Sequence, residues 1–257
     1  VSAMVATTQC RAGAAAAALQ EALARGVALG SPRLQTSALD NLAVQAEMLG
    51  HWHDVADHGE RMRTVALEHA TLPRVAHALI HVGDAAAALD DPDSAIPAYE
   101  EALSITRANG DRRVQVWALQ RLGRLRRARH EVPAALALHD EARALCDAQG
   151  DTLGAAVAAA DGALCRVALG QPAEATATVD ALLARLPAEW AARPAHETFD
   201  LRWTRVQVLQ ALADPRAAQL LEPLHADMQA RASELTDEAD RERLIQALPM
   251  FRAIAAV

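Results

Sequence analysis

A chain of 257 residues with a formal charge of −8 at neutral pH repels nucleic acid and anionic membrane unless basic residues are concentrated locally. One Tyr, two Phe, no Lys and an abundance of Ala, Leu and Arg favour closely packed helices and leave too few strand formers for a sheet. The three cysteines, Cys10, Cys146 and Cys165, are odd in number and lack CxxC spacing, which fits small apolar fillers of a reduced, cytoplasmic interior. No stretch approaches the roughly 20 consecutive apolar residues that span a bilayer, and Gly13 to Ala18 belongs to a helical segment, not to a signal-peptide core.

The chain opens Val1-Ser2-Ala3 without an initiating Met, and Ala3 already falls in phase with Ala43 forty residues later. We therefore expect a fragment of a longer protein whose numbering starts inside a repeat. The period continues: Gly83 aligns with Gly123, Ala95 with Ala135, Tyr99 with His139 and Ala102 with Ala142, while Gly30, Gly110 and Gly150 form a second series. Self-similarity at this length predicts stacked helical hairpins, because one hairpin cannot bury its apolar face alone. In chain order, helices are expected near 12–29, 31–49 with 52–69, 72–90 with 92–109, 111–129 with 131–149, and 151–169 with 171–186. The turns carry their own signals. Gly110 and Gly150 suit the left-handed residue that ends a helix, with Asp111 and Asp151 as N-caps. Ser31-Pro32, Asp91-Pro92 and Asp214-Pro215 set a capping side chain before a proline. After Leu186 the phase slips by three residues, so Pro187 to Pro194 reads as an inserted loop with Trp190 folded against the stack. A sixth pair at about 196–213 and 215–231 follows, then a polar-faced terminal segment over 233–257, containing Arg241, Leu244, Leu248-Pro249, Arg252 and Ile254, that reads as a cap.

The segment from Ala78-Leu79 to Gly83, then Ala95, Tyr99 and Glu101-Ala102-Leu103, with Leu122-Gly123, Ala135 and Ala142 one period on, resembles the tetratricopeptide repeat, and the likeness covers roughly residues 1–230. The usual period of that family is about 34, so forty implies helices longer by most of a turn each. Such stretched versions resemble the sensor arrays of large bacterial signalling ATPases and LuxR-type activators, the kinesin light chains and the peptide-sensing Rap family. The sequence departs from the family pattern at Ala43 and Ala163, which stand at the glycine phase, and at Gly59, which stands where Tyr99 does. The resemblance implies an all-α fold, a right-handed α-α superhelix of about six hairpins with a C-terminal capping helix. As one domain it divides into repeats at about 1–30 (partial), 31–70, 71–110, 111–150, 151–187 and 195–231.

Catalytic motifs are missing: the sequence has no GxSxG, phosphate-binding glycine loop, HExxH or CxxC, so an enzyme is not expected and no cofactor is implied. The spacing His77-x3-His81 followed by Asp84 places three potential metal ligands on one helix face. We expect no metal there, since a single helix supplies too few ligands. The segment from Asp111 to Arg129 is more distinctive, with Arg112, Arg113, Arg121, Arg124, Arg126, Arg127 and Arg129. Like charges three or four apart cost an isolated helix roughly 0.2–0.5 kcal/mol per pair, so the strip calls for anions. In the tetratricopeptide arrangement the first helix of each hairpin lines the groove. By phase, Trp117, Gln120, Arg121, Arg124 and Arg127 then face it, flanked by His77, Ile80 and Asp84 on one side and by Val157, Ala160 and Leu164 on the other, with Trp203 and Gln207 further along. That surface suits a peptide whose acidic side chain or carboxylate meets an arginine fork. The competing reading is that Asp84, Asp161 and Glu47 pair with these arginines internally, and that Trp117 and Trp203 are packing residues.

These features lead us to expect a non-catalytic protein- or peptide-interaction module, the sensor or partner-binding region of a bacterial transcriptional or signalling regulator. A free-standing adaptor or a self-association element, such as a homodimer, is the alternative. Neither nucleic acid nor membrane is an expected partner of this segment.

Overall fold

Among the described residues, every left-handed backbone residue sits where a helix must turn. In the computed structural model, which describes residues 16–190 and 195–233 together with 238, 241, 242 and 245, positive φ angles occur at Gly30, Gly50, Ala70, Asp90, Gly110, His130, Gly150 and Gly170. These positions are twenty residues apart without exception, and the next, Ala213, follows Gly170 by forty-three. Glycine enters this conformation without steric penalty, whereas Ala70, Asp90 and His130 adopt it at a cost of about 1–2 kcal/mol each. Keeping the spacing thus outweighs the local strain.

Between the turns lie α1 (residues 16–28), α2 (Pro32–Met48), α3 (Trp52–Glu68), α4 (Leu72–Ala88), α5 (Pro92–Asn109), α6 (Arg112–Ala128), α7 (Val132–Gln149), α8 (Thr152–Ala168), α9 (Pro172–Trp190), α10 (Ala195–Ala211) and α11 (Arg216–Ser233). No strand occurs among the described residues. The caps are those the sequence announces. Backbone N–H groups of Leu34, Ser94, Val114 and Gly154 donate to the side chains of Ser31, Asp91, Asp111 and Asp151. Prolines inside α5 and α11, Pro97 and Pro223, lie on exposed faces, where water can satisfy the carbonyl that loses its partner. α9 continues past Leu186 to Trp190, so the expected inserted loop begins four residues later than the break in phase. The side chain of Trp190, residues 191–194 and most of the expected cap at 233–257 fall outside the described residues, as does Cys10.

The chain divides into two compact units, one of Val1–Val114 with Gln229–Val257, the other of Gln115–Met228. In the first, consecutive helices from α2 to α5 pack in sequence, around Leu23, Leu39, Leu42 and Met62 at one level and Val55 and Ala85 at another. In the second, α8 packs against α7, α9 and α10, with Ala163, Leu164, Ala175, Val179, Val208 and Leu209 in one cluster.

The glycine phase has a steric origin. The ring of Tyr99 lies flat on Gly83, where an added Cβ would come within 2.7 Å of Cδ1 and 2.9 Å of Cζ. One repeat later, the imidazole of His139 covers Gly123, where a Cβ would approach Cε1 to 2.6 Å. Where the second helix carries a smaller side chain, as Val179, the first helix can carry Ala163. Gly and Ala at this phase therefore report the size of the side chain sixteen residues on.

Candidate partner-binding face

In the second unit, α6 presents Trp117, Gln120, Arg121, Arg124 and Arg127 as partly exposed side chains above the buried Val116, Ala118, Leu119 and Leu122. Hydrogen bonds tie this strip to α8. Gln120 Nε2 donates to the carbonyl of Gly154 at 3.3 Å, and Arg124 Nε donates to Asp161 Oδ2 at 2.8 Å. Asp161 is only 2% exposed, against 34% for the Arg124 side chain, so the pair has a buried anion and a half-open cation. α8 in turn meets α10 through Ala156 and Ala160 against Leu201. On α10, Trp203 is buried at 7% exposure and Gln207 is partly exposed.

The arginine run is not uniformly free charge. Arg126 and Arg129 meet Glu131, and Arg124 meets Asp161, the internal partner the sequence offered as the competing reading. Arg127 differs: its Nε is buried without a hydrogen-bond partner. An open pocket of about 350 Å³ lies between α7, α8 and α9, edged by Arg143, Asp147, Ala159 and Thr178. None of the residues selected from sequence lines it.

Sequence reasoning passed over two buried groups in this unit. His139 is fully buried with neither ring nitrogen hydrogen-bonded. Burial pushes its pKa down, with Asp161 opposing and Arg124 and Arg127 reinforcing the shift. Because the folded-state value lies below the unfolded one, only the unfolded chain takes up this proton as pH falls through about 6.5. Stability from this residue is therefore complete above that pH and is lost below it. His139→Phe keeps a ring over Gly123 and deletes the titration. Its urea-unfolding free energy is expected to match or exceed wild type by up to about 1 kcal/mol at neutral pH and to fall less between about pH 7.5 and 5.5. An unchanged slope in that window would refute the assignment. Arg205 on α10 is 4% exposed with its Nε unpartnered, and burial, helped by the field of Arg202, pushes it down to about 10.

In the first unit the structure rearranges the sequence-selected histidine cluster. Asp84 accepts a 2.7 Å hydrogen bond from the Tyr99 hydroxyl on α5. The carboxylate that meets His77 and His81 is instead Asp40, from α2. Asp40 Oδ1 lies 2.9 Å from His81 Nε2 and 3.5 Å from His77 Nδ1, and its other oxygen lies 3.7 Å from Arg74. Burial alone would raise the Asp40 carboxyl, but the hydrogen bond to His81 and the charges of His77, His81 and Arg74 outweigh it and hold it below the usual range. Burial lowers His77, with Asp40 opposing.

The signal that would have found these pairs is a separation of thirty-seven, one repeat less one helical turn. Arg124 with Asp161 and Ser37 with Arg74 have it, and Asp40 with His77 lies at the same interval. Neighbouring first helices are thus offset by a turn, and residues in equal phase do not face each other directly.

Both described thiols are free and buried, Cys146 and Cys165. Burial, followed by nearby acids at Cys146 and partly opposed by Arg127 at Cys165, pushes them up to about 11, which makes them unreactive fillers. No described helix is long and apolar enough to cross a membrane.

Residues 74–148, spanning α4 to α7, match the tetratricopeptide repeat family. No curated protein matches the sequence. Among solved structures, a kinesin light chain-like protein of Podosopora anserina with nearly identical TPR-like repeats aligns at 17% identity and TM-score 0.54, covering 76% of this chain and 94% of that one. A Rap protein complexed with competence and sporulation factor aligns at 13% identity and TM-score 0.62, covering 86% of this chain and 63% of its own. Aspartyl phosphate phosphatase F from Bacillus subtilis aligns at 14% identity and TM-score 0.60, over 86% and 59%. At these identities the likeness concerns the fold, and together with the matched segment and the recurring hairpins it establishes that this chain is built from tetratricopeptide-like repeats.

Proposed function

We propose that this chain is a non-catalytic module that binds a protein or peptide, and that it serves as the sensor or partner-binding region of a bacterial transcriptional or signalling regulator in the cytoplasm. Tetratricopeptide-like repeats and the Rap neighbour complexed with competence and sporulation factor support the interaction role. The observation that carries it is Arg127, a partly exposed cation with a buried, unpartnered Nε. It stands beside Arg124, Gln120 and Trp117 on one helix. A ligand carboxylate meeting the exposed part of the Arg127 guanidinium would balance its charge, and the indole of Trp117 offers an apolar anchor on the same face.

The sequence alone invites Arg124→Glu as a test, but that change would set a carboxylate against buried Asp161. Arg127→Ala is the cleaner probe. Peptides selected from a random display library on the wild-type protein are expected to be enriched in acidic residues or a free carboxylate, and to bind Arg127→Ala about tenfold more weakly, a loss of roughly 1.4 kcal/mol. Selected peptides that bind both proteins equally would remove this face from consideration. A second reading, self-association, is favoured by apolar side chains left exposed in the first unit, including Val27, Leu29, Leu67 and Leu72. Light scattering that finds a mass rising with concentration would support it.

A further inference from the structure

We propose that Asp40, His77 and His81 form a site for a divalent transition-metal ion of the zinc class, with at least one coordination position left open.

The donor set joins two helices. His77 and His81 stand four residues apart on α4 and so project from one face, and α2 brings Asp40 up to both. The three donor atoms lie within 4.8 Å of one another. A tetrahedral zinc ion with bonds of about 2.0–2.1 Å to nitrogen and oxygen has ligand-to-ligand edges of about 3.3 Å. The distances from Asp40 Oδ1, 2.9 Å to His81 Nε2 and 3.5 Å to His77 Nδ1, bracket that edge. An ion can therefore enter between Asp40 and His81 once the two imidazole nitrogens, which lie within 4.8 Å of each other, close on it. The side chains are sheltered, with exposures of 19, 12 and 6% for Asp40, His77 and His81, yet the Asp40 and His77 edge stays open to a water or a ligand side chain. Two imidazoles and one carboxylate select zinc, copper or nickel over calcium or magnesium, which prefer oxygen donors.

Arg74 works in both directions. Its contact with the second Asp40 oxygen holds the carboxylate in place, as outer-shell partners of metal ligands do, while its charge opposes a cation and keeps affinity moderate. The objection that one helix offers too few ligands disappears once Asp40 supplies the third.

The test is titration of the whole chain with Zn²⁺ by calorimetry and with Co²⁺ by visible absorption, followed by a melting curve with and without Zn²⁺. Expected are one equivalent bound, a cobalt spectrum of four-coordinate intensity and a raised melting temperature. All three should weaken at least about a hundredfold or vanish in His77→Gln and in Asp40→Asn. A control variant, His53→Gln with His69→Gln at exposed positions, should bind as wild type does. Absence of binding by the wild type, or binding that survives His77→Gln and Asp40→Asn, overturns the proposal. Should His77→Gln fail to fold, Asp40→Asn, which keeps size and shape, decides alone.

Discussion

Truncation of Tyr99 to alanine is expected to destabilise the protein by about 3–5 kcal/mol, measured by urea or thermal unfolding. The side chain is 2% exposed and its ring fills the space above Gly83, so little can collapse into the void. Its hydroxyl also gives Asp84 a 2.7 Å hydrogen bond, which leaves with it. The reverse insult, Gly83→Ala, drives a methyl into the ring and should cost about 1–3 kcal/mol. The informative variant combines Gly83→Ala with Tyr99→Val, which copies the Ala163 and Val179 pairing found two repeats later. Because the two positions share one space, the double variant should lose less than the sum of Gly83→Ala and Tyr99→Val measured singly. Strict additivity would show that the ring does not rest on Gly83.

Removing Arg124 should be the other severe change, and the loss should depend on which partner is taken. Arg124→Met strands Asp161, 2% exposed, as a buried uncompensated anion, and about 3–5 kcal/mol is expected. Asp161→Leu leaves a guanidinium that is already 34% exposed and can turn to water, so a smaller loss of about 1–2 kcal/mol is expected. Combining Arg124→Met with Asp161→Leu should recover most of the larger loss, since an apolar pair needs no ionic partner. Equal single losses would mean that Asp161 is better solvated than its burial indicates.

Helix positions were legible because the turn chemistry is local: Gly110 and Gly150 must be left-handed, and Asp111 and Asp151 must cap the next helix. Equally legible was the pairing of Gly83 with Tyr99 and of Gly123 with His139 as a recurring offset of sixteen, although its steric cause needed the ring positions. What the forty-residue period concealed was the offset between neighbouring first helices. Spacing along one helix set His81 beside Asp84, both on α4. The one-turn shift brings Asp40 there instead, while Asp84 accepts from Tyr99 within its own hairpin. The same shift joins Arg124 to Asp161, so part of the apparently exposed arginine strip is internally satisfied. Trp203, expected further along the groove with packing as the competing reading, is buried, on a helix that packs on α8, a contact that no pattern within α10 announces.

The even spacing of the left-handed residues bears on how such a chain can grow or shrink. Excision of residues 111–150 would join Gly110 to Asp151, the same Gly-Asp junction that now stands at both 110–111 and 150–151, with a turn glycine at φ near 70–75° and an aspartate cap on either side of the cut. Unequal crossover between these points would thus yield a coding sequence one hairpin shorter or longer with every turn already correct. The forty-three-residue step from Gly170 to Ala213 forbids the same exchange at the far end, where a crossover would leave three residues over.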